Sequence, residues 1–205
     1  MYRIIGLFAI MSLYSAPANS LSKNTVQSFS RRSLLPQQTH GLWKIETGVV
    51  RTFTYLEDGT SVTLGVWGSG DIVGKALSKV EPYQMECLTK VQATIFDLQG
   101  WDQIADVLLA HIQQAEELMI VRGYKTVDIM LVKLLTWLSK RFGREVEQGR
   151  LIDMRLTHED IAELLGSTRV TITRILRQLE QEGFIHRLSL HRIVLREEEI
   201  WHYEI

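Results

Sequence analysis

Along residues 42–96 the hydrophobic positions fall in short runs, each closed by residues that favour turns. Residues 42–46 precede Gly48, residues 49–56 alternate roughly, and Asp58-Gly59 separates them from residues 62–67. Both residues of that pair tolerate positive φ, which predicts a hairpin. Ser69-Gly70-Asp71 closes the next run, and residues 87–96 predict a further strand with Cys87, Thr89, Val91, Ala93 and Ile95 on one face. Short strands with regular turns, from about Phe29 to Phe96, predict a β-roll or barrel. After Trp101 the period becomes helical. Ile104, Val107, Leu108, Ile112, Ala115, Leu118 and Met119 form a near-heptad stripe that ends at Gly123, a candidate hinge. Residues 126–142 predict a second amphipathic helix on Val127, Met130, Leu131, Leu134, Leu135 and Leu138, stopped by Gly143. Residues 150–156 read as a short strand.

The run THEDIAELLGSTRVTITRILRQLEQEGFI, residues 157–185, predicts two short helices about a tight turn. Thr157 and Asp160 have the spacing of a capping box, and Ile161, Leu164 and Leu165 share one face. Gly166 stands where a helix end needs left-handed backbone. Ser167 and Thr168 can cap the next helix, which sets Val170, Ile172, Ile175, Leu176 and Leu179 among Arg169, Thr171, Thr173, Arg174 and Arg177. Arg169 and Arg174 differ by about 500° at roughly 100° per residue, so they share a broad face near the helix start. An arginine there can donate two hydrogen bonds to guanine O6 and N7. Free backbone N–H groups at Ser167 and Thr168 favour a phosphate. These features predict a helix-turn-helix, with major-groove reading by Arg169, Val170 and Arg174. Thr157, Ser167, Thr168, Thr171 and Arg177 are candidate phosphate contacts. Residues 185–188 and 192–195 predict a wing hairpin whose Arg187, His191 and Arg192 are further phosphate candidates.

The run STRVTITRILRQLEQEGFI resembles the recognition helix and wing entry of the cyclic-AMP receptor protein/FNR (Crp/Fnr) family of transcription regulators. GSTRVTITRIL is most similar to that family's nitrogen regulators (NtcA). GVVRTFTYLEDGTSVTLGVWGSGDIVG is similar to the family's β-roll sensor, and the likeness covers roughly residues 42–195. It implies an α+β fold: a cyclic-nucleotide-binding-like jelly roll over residues 29–100, a long dimerisation helix over 101–123 and a winged helix-turn-helix over 124–205. It implies a homodimer whose seam centres on Ile104, Leu108, Ile112, Ala115 and Met119, and double-stranded DNA carrying a two-fold repeat as partner. Val170 stands where many relatives carry Glu; it can touch a thymine methyl but cannot accept from cytosine, and a GTA-type half-site is expected. The relatives that bind cyclic nucleotides carry a Gly-Glu pair and a downstream Arg; here Gly74-Lys75 stands instead, and no Arg occurs between Lys75 and Met85. A buried phosphate needs its charge paired, so cyclic AMP is not expected. A roll with no effector is the leading expectation and a 2-oxoglutarate-responsive regulator the alternative; Lys75 and Lys79 are read as solvated charges.

With 205 residues, 45% hydrophobic, the chain suits two small domains. A formal net charge of −1 gives no global nucleic-acid signature, so local charge has to carry any DNA contact. The single Cys87 excludes an internal disulfide and a Cys-rich iron–sulfur site, and reads as a buried strand residue. A cupin-like enzyme would need several metal-ligating side chains converging from the strands. The strand region offers only His40 at its edge, and His111 reads as a packed side chain. No enzyme activity, cofactor or metal is therefore expected. A protein-interaction module that lost DNA binding should have lost Arg169 and Arg174. The expected function is a cytoplasmic, sequence-specific transcription regulator, an activator that touches RNA polymerase. Residues 1–28 are an uncertain extension. MYRIIGLFAIMSLYSAPANS resembles a secretory signal, yet its apolar run is shorter than the roughly 20 residues that span a bilayer. Initiation downstream, at Met11 or beyond, is the favoured reading, ahead of an N-terminal helix on the sensor and of export; no membrane partner is expected. The tail REEEIWHYEI is acidic and aromatic, with no assigned role.

Overall fold

A computed structural model describes residues 25–37, 41–96 and 101–196, with residues 101–104 described by backbone alone. The N-terminal extension up to Asn24, His40, the Ile104 side chain and the tail beyond Arg196 lie outside the described residues. The chain opens with β1 (Gln27–Phe29), β2 (Leu42–Thr47), β3 (Val50–Tyr55), β4 (Ser61–Trp67), β5 (Ile72–Val73), β6 (Gln84–Cys87) and β7 (Val91–Phe96). Two antiparallel sheets, ordered β1-β7-β2-β5 and β4-β3-β6, face each other as a β-roll. The Asp58-Gly59 pair lies in the loop joining β3 to β4, with Gly59 at φ +82° and the Asp58 carboxylate accepting from Thr60 N at 2.9 Å. The roll's interior is filled by its own side chains, with Trp43, Ile45, Val50, Trp67, Val73, Tyr83, Met85, Cys87, Val91 and Ala93 buried together. The Trp43 and Trp67 indoles satisfy their N–H groups on Pro36 O (2.8 Å) and Thr52 Oγ1 (3.0 Å). Burial pushes the Cys87 thiol up to about 11, so it is an inert core residue.

Residues 87–96, expected as one strand, are two strands with a turn between them. Cys87 ends β6 in the β4-β3-β6 sheet and Val91 begins β7 in the other; between them Leu88 N and Thr89 N both donate to Val49 O (2.8 and 3.4 Å). Alternation alone does not show such a break, because Cys87, Val91 and Ala93 are buried on both sides of it.

The helical period holds as read: α1 spans Trp101–Arg122 and α2 spans Val127–Phe142, with Thr126 at the N-cap and Gly143 at the C-cap. The apolar stripe of α1 divides into two faces. Leu118 and Val121 face inward with Gln114, whose amide donates to Val66 O (2.7 Å) and Asp71 Oδ2 (3.0 Å). His111 stacks on Trp67, ring centroids 4.0 Å apart and 6° from parallel. Leu108, Leu109, Ile112, Met119 and Ile120 point outward and are exposed, with Ala115 half-buried between them.

The C-terminal part centres on α2, whose Leu131, Leu134, Leu135 and Leu138 are fully buried. Around it lie α3 (His158–Leu165), α4 (Arg169–Gln181) and a sheet ordered β10-β11-β9-β8, made of β8 (Gly143–Val146), β9 (Gly149–Ile152), β10 (Ile185–Leu188) and β11 (Arg192–Leu195). Residues 150–156, expected as a strand leading into the cap, pair only as far as Ile152 and belong to a β8–β9 hairpin that the sequence reading missed. Polar residues in β8 hid its alternation: Arg144 and Glu145 are both exposed.

Charged groups join the roll to this part. Arg51, 5% exposed, lies between Glu86 (2.7 Å) and Glu163 of α3. Arg32 links Glu86 (3.1 Å) to Asp160. Arg122 donates to Leu164 O and Thr63 O, both at 2.7 Å, and Arg141 of α2 pairs with Asp71 at 2.8 Å. Val49, Val66 and Leu88 of the roll enter the same apolar cluster as α2, α3 and α4.

Candidate nucleic-acid interface

The two short helices form from local chemistry. Thr157 Oγ1 accepts from Asp160 N (3.1 Å) while the Asp160 carboxylate accepts from Thr157 N (2.8 Å), so each caps the other. Gly166 ends α3 at φ 64°, a left-handed position where a Cβ would be costly. Of the two candidate caps for α4, Thr168 takes the position and accepts from Thr171 N (3.2 Å). Ser167 closes the turn instead, through its N–H to Ala162 O (2.9 Å).

Ile172, Ile175, Leu176 and Leu179 fix the inner face of α4. That leaves Arg169, Val170, Arg174 and Arg177 outward, with Val170 at 79% exposed. An isolated aliphatic side chain so open gains nothing from the fold. Together with Thr173, Gln178 and Gln181 these residues line one open, shallow, basic surface. The three residues expected to read bases therefore share one face near the helix start.

The expected phosphate contacts are more dispersed. Thr168 and Arg177 are exposed, while Thr157, Ser167 and Thr171 are half-buried and Thr157 is engaged in its cap. Arg187 is held by Glu180, with its Nε 2.8 Å from Oε2 and its backbone N 3.2 Å from Oε1. That contact holds the Glu180 carboxyl below the usual carboxylate range. Arg192 reaches Asp153 at 3.4 Å, and His191 is exposed at the wing turn with φ 57°.

Sequence reasoning passed over His158, the first residue of α3. Its Nδ1 lies 2.7 Å from Thr173 Oγ1 on α4. Burial, then the nearby Arg187, His191, Arg169 and Arg177, push its pKa down. The only sequence signal was a histidine directly after a helix cap.

The roll differs from expectation at Lys75. The side chain is not a solvated charge: it is half-buried, pairs with Glu81 (2.7 Å) and donates to Val80 O (2.7 Å). Its ammonium also donates to Ser78 O (3.3 Å), just past the three-residue 3₁₀ turn that starts at Lys75. Lys79 is exposed. Among the described residues no group of three or more His, Cys, Asp or Glu could hold a metal, and no helix is long and apolar enough to cross a membrane.

Residues 131–199 match the Crp-like helix-turn-helix domain. The chain is 39% identical over 167 residues to the regulatory protein CysR of Synechococcus elongatus, covering 80% of this chain and 81% of that one. It is 36% identical over 85 residues to the global nitrogen regulator of a Nostoc species, covering 42% of this chain and 37% of that one. Among solved structures, a CRP-family transcriptional regulator from Thermus thermophilus superposes with a TM-score of 0.73 at 22% identity, covering 87% of this chain and 94% of that one. FixK2 from Bradyrhizobium japonicum gives 0.70 at 23% identity, covering 87% and 95%.

Proposed function

Because the chain belongs to the Crp/Fnr family of DNA-binding transcription regulators, we propose that it acts in the cytoplasm as a homodimer reading a two-fold repeat through Arg169, Val170 and Arg174. The observation that carries this reading is the exposed face of α4, where two arginines and an open valine stand on a helix whose other face is locked into the core. Bidentate arginine contacts to guanine give sequence discrimination. Thr168, Thr171 and Arg177 stand beside them to meet the sugar-phosphate backbone. The exposed face of α1 would join two copies, setting their recognition helices about one DNA turn, ~34 Å, apart. Activation through contact with RNA polymerase follows from the family resemblance.

Reading without a small-molecule effector is supported by the roll itself. Trp43, Trp67 and Tyr83 fill its interior, and Lys75 is already spent on Glu81 and backbone carbonyls. A 2-oxoglutarate-responsive regulator is the second reading, suggested by the nitrogen regulators. The match to the Nostoc nitrogen regulator covers only 42% of this chain. Selection from a random DNA pool, with and without 2-oxoglutarate, separates these readings. A two-fold repeat enriched in both conditions is the expected result. Enrichment only with the metabolite would establish the second reading. No enrichment in either condition would refute DNA reading and favour a protein-interaction module.

A further inference from the structure

His158 sits where α3, α4 and the wing converge. It lines one groove with Leu176 and Glu180 of α4, Arg187 of β10, His191 of the wing turn and Arg192 of β11. Arg169 and Arg177 of α4 also bear on it electrostatically. Of the acids nearby, Glu180 is occupied by Arg187, Asp153 lies 3.4 Å from Arg192, and Asp160 is buried in the cap and paired with Arg32. Glu159, the next residue on α3, is exposed. The surroundings of the ring are thus mostly cationic.

The hydrogen bonds set the tautomer. Thr173 Oγ1 donates its one proton to Arg169 O at 2.7 Å, so at its 2.7 Å contact with His158 it must accept. His158 Nδ1 therefore carries a hydrogen, and Nε2 is the nitrogen that titrates. The same threonine ties His158 to the backbone of Arg169, one of the base-reading candidates. A helix seated in the major groove has phosphates along both flanks, within reach of groups beside its N-terminus.

We propose that His158 is a DNA-phosphate contact that takes up a proton when the protein binds DNA, so that affinity rises as pH falls. It rests on the DNA-reading function proposed above. In the free protein, burial and then Arg187, His191, Arg169 and Arg177 hold the imidazole below its ordinary value of 6.5. A phosphate beside Nε2 reverses the local charge and favours the imidazolium. The sign follows from linkage. DNA raises the pKa, so the gain is full below the free-state pKa and is lost as pH rises through the bound-state value. Within that window one proton gives at most about a tenfold change in affinity per pH unit.

The test is the dissociation constant of the full chain for its selected DNA site from about pH 5.5 to 8.5 at constant salt. Wild type and His158→Asn are compared; the asparagine keeps a donor at the Nδ1 position. Tighter binding at low pH in wild type, with a reduced slope in His158→Asn, is expected. An unchanged slope in His158→Asn, or no slope in wild type, overturns the proposal. Failure of wild type to select DNA at any pH would instead remove the DNA-reading function beneath it. Should His158→Asn not fold, proton NMR of the wild-type ring decides: the His158 titration moves upward on adding DNA, and an unmoved titration overturns the proposal.

Discussion

Replacing Ile112 with glutamate tests the homodimer most directly. Leu108, Leu109, Ile112, Met119 and Ile120 are 43%, 56%, 53%, 69% and 65% exposed on the outer face of α1. Full burial of such a side chain is worth ~1.5–3 kcal/mol, so covering the open half contributes about 1–2 kcal/mol each. A two-fold seam counts each residue twice, giving about 10–20 kcal/mol of gross apolar stabilisation. Association costs ~4–15 kcal/mol. The margin is small enough for one position to decide it. Glutamate at 112 removes the burial in both copies, adds two desolvated carboxylates, and sets a like charge four residues from Glu116. The combined loss is at least about 3 kcal/mol, more than a hundredfold in the dimer dissociation constant. Sedimentation equilibrium over a dilution series reads this directly. Ile112 is exposed in the single chain, so the fold should survive, with unfolding free energy within ~0.5 kcal/mol of wild type per chain. Equal dissociation constants for wild type and variant would refute the argument and move the dimer seam off this face.

Other positions separate the roles proposed along α4 and across the seam with the roll. Arg169→Ala should cost about 1–3 kcal/mol of discrimination at one base pair in each half-site, measured by binding to a set of singly substituted DNA sites. An equal loss on every sequence would make Arg169 a phosphate contact. Arg177→Ala should weaken binding to all sequences alike and flatten the salt dependence, read from dissociation constants across salt concentrations; a base-specific effect would count against it. Arg51→Ala strips the buried guanidinium from Glu86 and Glu163, Glu86 keeping Arg32, and should destabilise the chain by ~1–3 kcal/mol in chemical denaturation. A loss below ~1 kcal/mol, the value of an exposed pair, would mean water reaches these acids.

Sequence by itself determined the elements whose information is local. The Thr157 cap, the Gly166 turn, the Thr168 cap and the inner face of α4 each depend on residues within about one helical turn of one another. Chemistry at that range is legible without a fold. The long helix was legible for the same reason, from a near-heptad apolar stripe running from Ile104 to Met119. Which part of its stripe turns inward was not. Only the tertiary structure decided that Gln114 and His111 lie against the roll while Leu108, Ile112 and Met119 stay open, because the faces are assigned by Val66, Trp67 and Asp71, more than forty residues away. The split of residues 87–96 into two strands and the β8–β9 hairpin also depended on partners distant in sequence or on alternation too polar to read. His158 shows the limit most clearly. Its neighbours come from α4, the wing turn and β10, and their combined charge exists only once those elements meet. Long-range burial and electrostatics depend on distance in space, and no local pattern encodes that distance.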